Sequence, residues 1–466
     1  MTRPGNGTPD ILLLLCDTAR ADAFSPWRAS AQTPIMQRLS QEGIWYERAI
    51  APAPWTLPST TSIFTGRLPT EHGITGEVIA RRGRRLSSPA HAIRDLKDSW
   101  LPERLRERSY RTMAVSCNPW VSRWGGFDRG FDQFVDINPL KNRSTPRAVR
   151  RLQRLVDLGR GDKGGIESLR RVRAFLTDEP GPPRFAFVNL MEMHAPYVPP
   201  KRFHPAPLSI LDPLRSMRTF SYQLRQRRLN DGANRPFEPI VRSLYFGAGR
   251  YEDWLVGQFL GPLRSSVRPI VVVVVGDHGE SLGEKGVFGH HSSLHESVLH
   301  VPLLLWSQGV DIGKGHRGEP VSLLGLSSWL LSQADGKGGE LPSETFVLSE
   351  YESTMHHRGF GVSLGSTSKG LSGPQALTQE AGLSIRKEGL KYVATESGEE
   401  AIYDLEVDPA EEQDVLGDRQ GLVPEFRTEA DAWRRRRGAQ VVSSDGLSEM
   451  AEEEIVEQLR ALGYIE

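Results

Sequence analysis

Three segments of the chain share one pattern, in which a short run of aliphatic or β-branched residues ends in acidic or imidazole side chains. They read ILLLLCDTARAD at 11–22, RFAFVNLMEMHAPY at 184–197 and RPIVVVVVGDHGE at 268–280. Such continuous apolar runs are typical of strands that are buried on both faces, as in a parallel sheet covered by helices. Because ligands bind these sheets outside the carboxyl ends of the strands, we expect the polar residues that follow the runs to share one edge of the sheet. These residues are Asp17, His194, Asp277 and His278.

Helical patterns separate these runs, as the crossovers between parallel strands require. Apolar side chains recur at helical spacing in residues 96–107 and again in residues 166–176. Residues 141–175 are rich in Arg, and we interpret them as a solvated helix surface rather than a polyanion-binding face, because aromatic residues are not interleaved with the arginines. Residues 200–240 are rich in Pro, Arg and Ser, which predicts an irregular segment near the edge of the sheet.

The pattern changes after about residue 335. Residues 333–344 resemble a linker, and short strand candidates and a terminal helix at about 448–462 follow it. We predict a first domain over residues 1–335 and a smaller α+β domain over residues 345–466. The fold class expected for the chain is therefore α/β, with a mostly parallel sheet between helices and a smaller α+β C-terminal domain.

Composition and charge exclude several classes of protein. Hydrophobic residues make up 38% and charged residues 25%, as in globular proteins, and Lys plus Arg equals Asp plus Glu at 58 each. No net charge therefore attracts the chain to nucleic acid or anionic lipid. The longest aliphatic runs are six residues, whereas a membrane-spanning helix needs about 18. Since the first ten residues also lack the apolar core of a signal peptide, we expect a cytoplasmic protein with no membrane span and no nucleic-acid partner.

The adjacent residues Asp277 and His278 are the strongest local signal for chemistry. They follow a buried strand inside the glycine-rich sequence GDHGESLGEKG, and both side chains can bind a divalent cation. Asp17 follows another buried strand, where an unpaired carboxylate carries a large desolvation cost. A metal shared by Asp17 and Asp277 would offset that cost, and so would an ion pair between Asp17 and Arg20.

Residues 51–73 supply a candidate nucleophile, Thr56. Pro58 and the hydroxyl-rich sequence after it indicate the start of a helix, which places Thr56 just ahead of a helix N-terminus, where backbone N–H groups favour anions. A hydroxyl is a weak nucleophile at neutral pH unless a base or a metal activates it. Taken alone, Thr56 is also typical of a helix N-cap or a turn residue.

Taken together, six motifs resemble the sulfatase branch of the alkaline phosphatase superfamily, and the terminal ALGYIE also resembles the end of many members. The motifs are DTARAD (17–22), PWTLPSTTSIFTGRLPTEHG (54–73), GFDRGFDQFVD (126–136), MEMHAPYVPP (191–200), GDHGESLGEKGVFGHHSSLHESVLHVPLLL (276–305) and AIYDLEVDPAEEQDVL (401–416). They occur in the expected order over almost the whole chain. The resemblance implies a large mixed, mostly parallel sheet between helices, followed by a smaller domain with a short antiparallel sheet.

The resemblance also implies roles for individual residues. Asp17 matches the first metal-binding Asp of the family. Asp277 and His278 match its later ligand pair, which is Asp-His in related phosphonate and phosphate diesterases. His194 matches the histidine that contacts the transferred group or protonates the leaving oxygen. His290 falls where many relatives place a Lys or His near the same group.

The chain departs from the family at the nucleophile. Family sulfatases carry C-x-P-S-R, or Ser for Cys, whose first residue is oxidised to formylglycine, whereas residues 56–60 here read Thr-Leu-Pro-Ser-Thr. Relatives with Thr at this position use the alkoxide directly and form a phosphothreonine intermediate. The resemblance therefore implies that Thr56 is the nucleophile and that formylglycine chemistry is absent.

The resemblance further implies a single metal ion. Two-metal relatives carry Asp-x-x-Gly-His before the last metal pair, and the corresponding sequence from Asp253 to Gln258 has no histidine. Asn118 and Arg67 resemble other positions around the pocket. The cofactor expected is one divalent cation, Mn²⁺ or Ca²⁺. Its expected ligands are Asp17, Thr56, Asp277 and His278.

These observations together predict a metal-dependent hydrolase of phosphoester or sulfate ester bonds that uses Thr56, His194 and His290 in catalysis. The expected substrate is a small-molecule, glycan or lipid-headgroup ester. Three alternatives stay open: a sulfuric ester hydrolase that works without formylglycine, a phosphoryl transferase to an alcohol, and a non-catalytic pseudo-sulfatase. The sequence leaves the oligomeric state open.

Overall fold

A computed structural model describes most of the chain. The described residues are 8–76, 81–82, 85–86, 88–137, 161–177, 181–204, 238–286, 288–290, 293–352 and 381–439. The strands are β1 (Asp10–Cys16), β2 (Ile44–Tyr46), β3 (Ala49–Ile50), β4 (Arg81–Arg82), β5 (Arg85–Leu86), β6 (Arg111–Ser116), β7 (Gln133–Asp136), β8 (Arg184–Leu190), β9 (Ile270–Gly276), β10 (Ser281–Leu282), β11 (Phe288–Gly289), β12 (His300–Val301), β13 (Leu303–Gln308), β14 (Gly315–Arg317), β15 (Val321–Ser322), β16 (Val347–Tyr351), β17 (Gly382–Lys387), β18 (Leu390–Thr395) and β19 (Glu400–Asp404).

Ten α-helices lie in the described residues. They are α1 (Pro34–Glu42), α2 (Thr56–Thr65), α3 (Pro69–His72), α4 (Ala90–Asp95), α5 (Leu101–Glu107), α6 (Gly165–Thr177), α7 (Glu238–Leu263), α8 (Glu296–Leu299), α9 (Gly325–Ala334) and α10 (Val423–Ala439). Short 3-10 helices span Ala21–Ala23, Ala29–Ala31, Lys201–Phe203, Glu284–Gly286 and Leu416–Asp418. Among the described helices, none combines the length and the apolar character that crossing a bilayer demands.

The three apolar runs form neighbouring strands at the centre of an eight-stranded sheet with the order β14-β2-β13-β9-β1-β8-β6-β7. Strands β9, β1, β8, β6 and β7 are parallel to one another, whereas β13 runs antiparallel to β9 and β2. Every residue of β1, β8 and β9 is buried. The predicted α/β class with a large mixed, mostly parallel sheet is therefore confirmed.

Both faces of this sheet are covered, because successive side chains of a strand point to opposite faces. Leu13 and Leu15 of β1 pack in a cluster that includes α2, whereas Leu12 and Leu14 pack in a second cluster that includes α7. This burial on both sides explains why the strands read as continuous apolar runs instead of alternating patterns. It also leaves the strand ends as the places where polar side chains reach a site.

A four-stranded antiparallel sheet, β16-β17-β18-β19, follows the main sheet in the chain. Tyr392 of β18 stacks on Phe426 of α10 with 5.2 Å between ring centroids, and Trp433 of α10 is fully buried in the same cluster. The smaller α+β C-terminal domain is confirmed as part of the fold class. Its predicted limits, 1–335 and 345–466, stay a prediction. The predicted helix at 448–462 lies outside the described residues.

Of the two predicted helices, one is confirmed and the other was wrong in part. The helix predicted at 166–176 is confirmed as α6. The helix predicted at 96–107 was wrong in part, because the structure ends α4 at Asp95 and begins α5 at Leu101. Pro102 lies in the first turn of α5, a position that proline favours because it lacks a backbone N–H. Residues 141–160 of the Arg-rich stretch and residues 205–237 of the predicted irregular segment lie outside the described residues.

Candidate active site

Four predicted site residues meet at the carboxyl edge of the central strands. Cys16 at the end of β1 lies opposite Gly276 at the end of β9, so Asp17 and Asp277 leave adjacent strands at the same level. Ligand atoms of Asp17, Asp277 and His278 all lie within 4.8 Å of one another. Thr56 Oγ1 lies 3.2 Å from His278 Nε2 and donates to Asp17 Oδ2 at 3.5 Å. All four side chains are fully buried.

The backbone after β1 and β9 fixes the Asp277 carboxylate. Thr18 adopts a φ of +58°, and its N–H donates to Asp277 Oδ1 at 3.2 Å. The N–H of His278 donates to the same oxygen at 2.9 Å. Gly279 passes so close to Ser297 that a Cβ would lie 2.2 Å from its carbonyl oxygen, which explains the glycine after the Asp-His pair. Within the described residues, the fold therefore uses only one oxygen of the Asp277 side chain, Oδ1, as a hydrogen-bond acceptor.

The remaining carboxylate oxygens have the character of metal ligands. Within the described residues, Asp17 Oδ1 and Asp277 Oδ2 are buried and make no hydrogen bond. Burial, together with the negative charge of Asp277, raises the pKa of Asp17 to about 8, and burial raises the pKa of Asp277 to about 7. Two such carboxylates are destabilising without a nearby cation. The donor set therefore fits a divalent cation.

His278 is held in the form that a metal ligand requires. Its Nδ1–H donates to the carbonyl oxygen of Gly279 at 2.9 Å, which leaves the Nε2 lone pair facing the two carboxylates. Burial lowers the pKa of His278, so the ring is neutral. Arg20 does not pair with Asp17, the alternative considered from the sequence; it binds Asp22 at 2.8 Å and Glu284 at 2.7 Å instead.

Thr56 begins helix α2. The structure makes Trp55, in an extended conformation, the N-cap and Thr56 the first helical residue, so the predicted position just ahead of the helix was wrong by one residue. Ser59 of the same helix donates to the carbonyl oxygen of Asp277 at 2.6 Å, which ties α2 to the end of β9. The hydroxyl of Thr56 therefore lies beside the carboxylates and at the end of a helix whose first N–H groups favour an anion.

His194 and His290 lie next to this cluster. The His290 ring centroid is 4.5 Å from that of His278 and 5.3 Å from that of His194. His194 donates from Nδ1 to the carbonyl oxygen of Ala195 at 2.8 Å. Burial and the neighbouring His290 hold the pKa of His194 well below its usual value. The structure therefore brings all six predicted site residues together; their roles stay predictions.

The structure makes Asn118 a stronger candidate for a site residue than the sequence of the chain did. It follows β6, the strand beyond β8, and its Nδ2 lies 2.5 Å from Asp17 Oδ2 and 3.4 Å from Thr56 Oγ1. The signal in the sequence was the same as for Asp17, a polar residue after a buried strand. Arg67, by contrast, lies outside the cluster, since its side chain is 52% exposed and pairs with Asp98 at 2.8 Å.

Asp253 lies at the position where two-metal relatives have metal ligands. In this structure its side chain instead forms hydrogen bonds with the backbone. Its two carboxylate oxygens accept the N–H groups of Ile35 and Met36, in the first turn of α1, at 3.3 and 2.8 Å. This side chain therefore caps α1 from the neighbouring helix α7 on the same face of the sheet. In the described part of the chain, the group around Asp17 is the one cluster of three or more acidic, imidazole or thiol groups close enough to share an ion.

Comparisons with known proteins agree on one family and one fold. The model of the sulfatase family matches residues 9–335. A sulfatase of Formosa agariphila is 25% identical over 444 residues, which cover 86% of this chain and 82% of that protein. The phosphonate monoester hydrolase of Agrobacterium radiobacter has a similar structure, with a TM-score of 0.64 and 16% identity over 96% of this chain and 99% of that one. A protein solved with its substrate D-glucosamine-2-N,6-O-disulfate is similar at a TM-score of 0.62 and 15% identity, over 94% of this chain and 99% of that one.

Proposed function

Because the chain belongs to the sulfatase family of ester hydrolases, we propose that it hydrolyses a phosphoester or sulfate ester with Thr56 as the nucleophile and a single divalent cation as the cofactor. The observation that carries the proposal is the position of Thr56 Oγ1, 3.2 Å from His278 Nε2 and 3.5 Å from Asp17 Oδ2. A hydroxyl that served only as a helix cap would not need to lie among buried metal-binding groups.

The cation would be held by Asp17, Asp277 and His278, with Thr56 as the fourth ligand, and Mn²⁺ or Ca²⁺ suits this mixed set of oxygen and imidazole donors. When bound, it supplies Lewis-acid polarisation of a substrate oxygen and lowers the pKa of the Thr56 hydroxyl. The two buried carboxylate oxygens without hydrogen bonds support this assignment.

The residues of the chain perform two displacements. Thr56 Oγ1 forms a bond to phosphorus or sulfur while the bond to the leaving oxygen breaks, and the hydroxyl proton passes to Asp17 Oδ2. His290 donates a proton to the leaving oxygen, and His194 contacts an oxygen of the transferred group. In the second displacement, water forms a bond to phosphorus or sulfur while the bond to Thr56 Oγ1 breaks. His290 takes a proton from the water, and Asp17 Oδ2 returns the hydroxyl proton to Thr56 Oγ1.

The decisive test replaces the nucleophile. Thr56→Ala should lower kcat by at least about 1000-fold while metal content and thermal stability stay close to those of the parent. Thr61→Ala is the matched control, since its hydroxyl donates only to Leu57 O within the same helix, and it should retain activity. Mass spectrometry of the parent chain after substrate exposure should detect phosphate or sulfate on Thr56. Unchanged turnover in Thr56→Ala would exclude the proposed mechanism.

The open alternatives differ in substrate and product. A panel of phosphate monoester, phosphate diester, phosphonate monoester and aryl sulfate substrates, extended to the sulfated glucosamine named for one structural neighbour, separates phosphoester from sulfate ester hydrolysis. Glycerol in the assay would yield a new ester if the chain transferred the phosphoryl group to an alcohol. A pseudo-sulfatase would bind the cation and turn over no member of the panel.

A further inference from the structure

Glu280 is a buried carboxylate with a defined place beside the proposed catalytic histidines. Its side chain is 1% exposed and its Oε1 accepts the Nδ1–H of His290 at 3.0 Å. Its Oε2 accepts the hydroxyl proton of Tyr197 at 2.7 Å. Glu280 therefore links the His290 ring to Tyr197 and the segment after β8.

We propose that Glu280 is a positioning residue that holds His290 through Nδ1, so that Nε2 is the atom presented to the leaving oxygen of the substrate. This inference rests on the proposed function, because it assumes that His290 delivers a proton there. It adds a carboxylate–imidazole pair to the site, in which the carboxylate acts through the histidine and does not touch the substrate.

Glu280 is itself held from three directions. Tyr197, from the segment after β8, donates to the side chain, and Arg20, from the segment after β1, donates from Nη1 to the Glu280 carbonyl oxygen at 3.0 Å. The Glu280 N–H donates to the carbonyl oxygen of Ser297 at 2.9 Å. Tyr197 in turn packs edge-to-face on Tyr245 of α7 at 5.4 Å. A carboxylate fixed in this way can define the orientation of a ring.

The two histidines differ in what holds them. His194 donates from Nδ1 to the carbonyl oxygen of the next residue, so its own turn fixes its ring. His290 follows a two-residue strand, β11, and depends on a side chain ten positions earlier. A half-turn of the His290 ring about Cβ–Cγ would exchange Nδ1 with Cδ2 and Nε2 with Cε1, so a carbon would replace the donor at the leaving oxygen; the bond between Nδ1 and Glu280 opposes this rotation.

A double-mutant cycle tests this dependence. The variants are Glu280→Ala, His290→Ala and the two combined, each assayed on an alkyl ester with a poor leaving group and on a nitrophenyl ester with a good one. We expect Glu280→Ala to lower kcat on the alkyl ester by about 10- to 100-fold and His290→Ala to lower it by about 100-fold or more, with much smaller losses on the nitrophenyl ester. The combined variant should be no slower than His290→Ala.

Two milder variants cover a failure of Glu280→Ala to fold. Glu280→Gln keeps an acceptor for Nδ1–H and should recover part of the loss, and Tyr197→Phe should lower kcat on the alkyl ester by less than Glu280→Ala does. Glu284→Gln is the control, because that carboxylate lies on the same loop as Glu280 and pairs with Arg20 and Arg242 instead of a histidine. It should leave the ratio of the two esters unchanged.

The outcomes separate the two hypotheses. Additive losses in the combined variant, equal losses on both esters or loss of bound metal in Glu280→Gln would each overturn the positioning role. If His290→Ala slows the alkyl ester and Glu280→Ala does not, the positioning role fails and the proposed function stands. If His290→Ala retains full activity on both esters, the proposed role of His290 fails, and the positioning role fails with it.

Discussion

Two clusters of ionisable side chains, a site cluster and a junction cluster, lie in the interior of this molecule, and the charges of their carboxylates are compensated in different ways. The site cluster consists of Asp17, Asp277 and His278. The junction cluster lies between α8 and the C-terminal sheet and consists of Lys391, Glu296, Glu411 and Arg386. There, Lys391 Nζ, fully buried, lies 2.5 Å from Glu411 Oε1 and 3.0 Å from Glu296 Oε1, and Arg386 Nε donates to Glu296 Oε1 at 3.0 Å.

The pKa values of the carboxylates record this difference. Burial raises the pKa values of Asp17 and Asp277, and no Arg or Lys of the described residues forms an ion pair with either of them. Arg386 and Lys391 hold the pKa of Glu296 well below its usual value despite burial. The junction cluster is therefore neutralised by the fold itself, whereas the site cluster destabilises the metal-free chain and is suited to bind a cation. A difference of this kind distinguishes a binding site from a structural ion pair.

The largest expected effect comes from breaking the junction cluster. Lys391→Met leaves the carboxylates of Glu296 and Glu411 without their shared cation and should lower the free energy of unfolding by about 3–5 kcal/mol. Denaturant titration measures it. Lys387→Met, on the same sheet, is the control, because Lys387 pairs with an exposed partner, Glu425, and the substitution should change stability far less than Lys391→Met does. Equal effects of the two variants would show that the buried ion pairs of Lys391 stabilise the fold no more than the exposed ion pair of Lys387 does.

The site cluster should respond with the opposite sign. In metal-free protein, Asp277→Asn should raise the free energy of unfolding by about 1 kcal/mol or more, because it removes a buried charge while an amide oxygen can still accept from Thr18 and His278. Metal binding should be lost in the same variant. Thermal unfolding with a chelator, and again with added Mn²⁺ or Ca²⁺, measures both effects. A metal-free variant less stable than its parent would contradict the account of the site.

A third effect is a pH trend in the metal-free chain. The pKa values of Asp17 and Asp277 are about 8 and about 7 in the folded state and 3.8 without the fold, so the folded chain binds more protons between these limits. The free energy of unfolding should therefore fall as pH rises from about 4 to about 8 and level off above. Added metal should reverse the trend, because it binds the ionised groups. Melting temperatures across this range, with and without metal, decide between the two slopes.

The sequence predicts the part of the site that follows from strand burial. Continuous apolar runs mark β1, β8 and β9, and the residues after them, Asp17 and Asp277 among them, reach the same edge because parallel strands end together. Pro102 also indicated that a new helix starts near this position, but the helical spacing of the apolar residues favoured one continuous helix over 96–107.

Contacts between distant side chains had no such signal. Glu280 meets Tyr197 across 83 positions of the chain, and Lys391 meets Glu296 across 95. Neither contact leaves a periodic pattern, because each depends on how separate loops and sheets pack. Most Glu and Lys residues are exposed and Tyr is intermediate in burial, so only the folded structure identifies the few charged side chains that are buried.

Glu296 is the first residue of α8, which belongs to the first domain. The cations that neutralise it, Arg386 and Lys391, lie in the C-terminal sheet. The two domains are thus not interchangeable modules. A chimera that takes its first 335 residues from this protein and the remainder from a relative would inherit an acidic group without its counterions, unless the relative supplies basic residues at both places. A graft of either domain must therefore keep Glu296, Arg386 and Lys391 together.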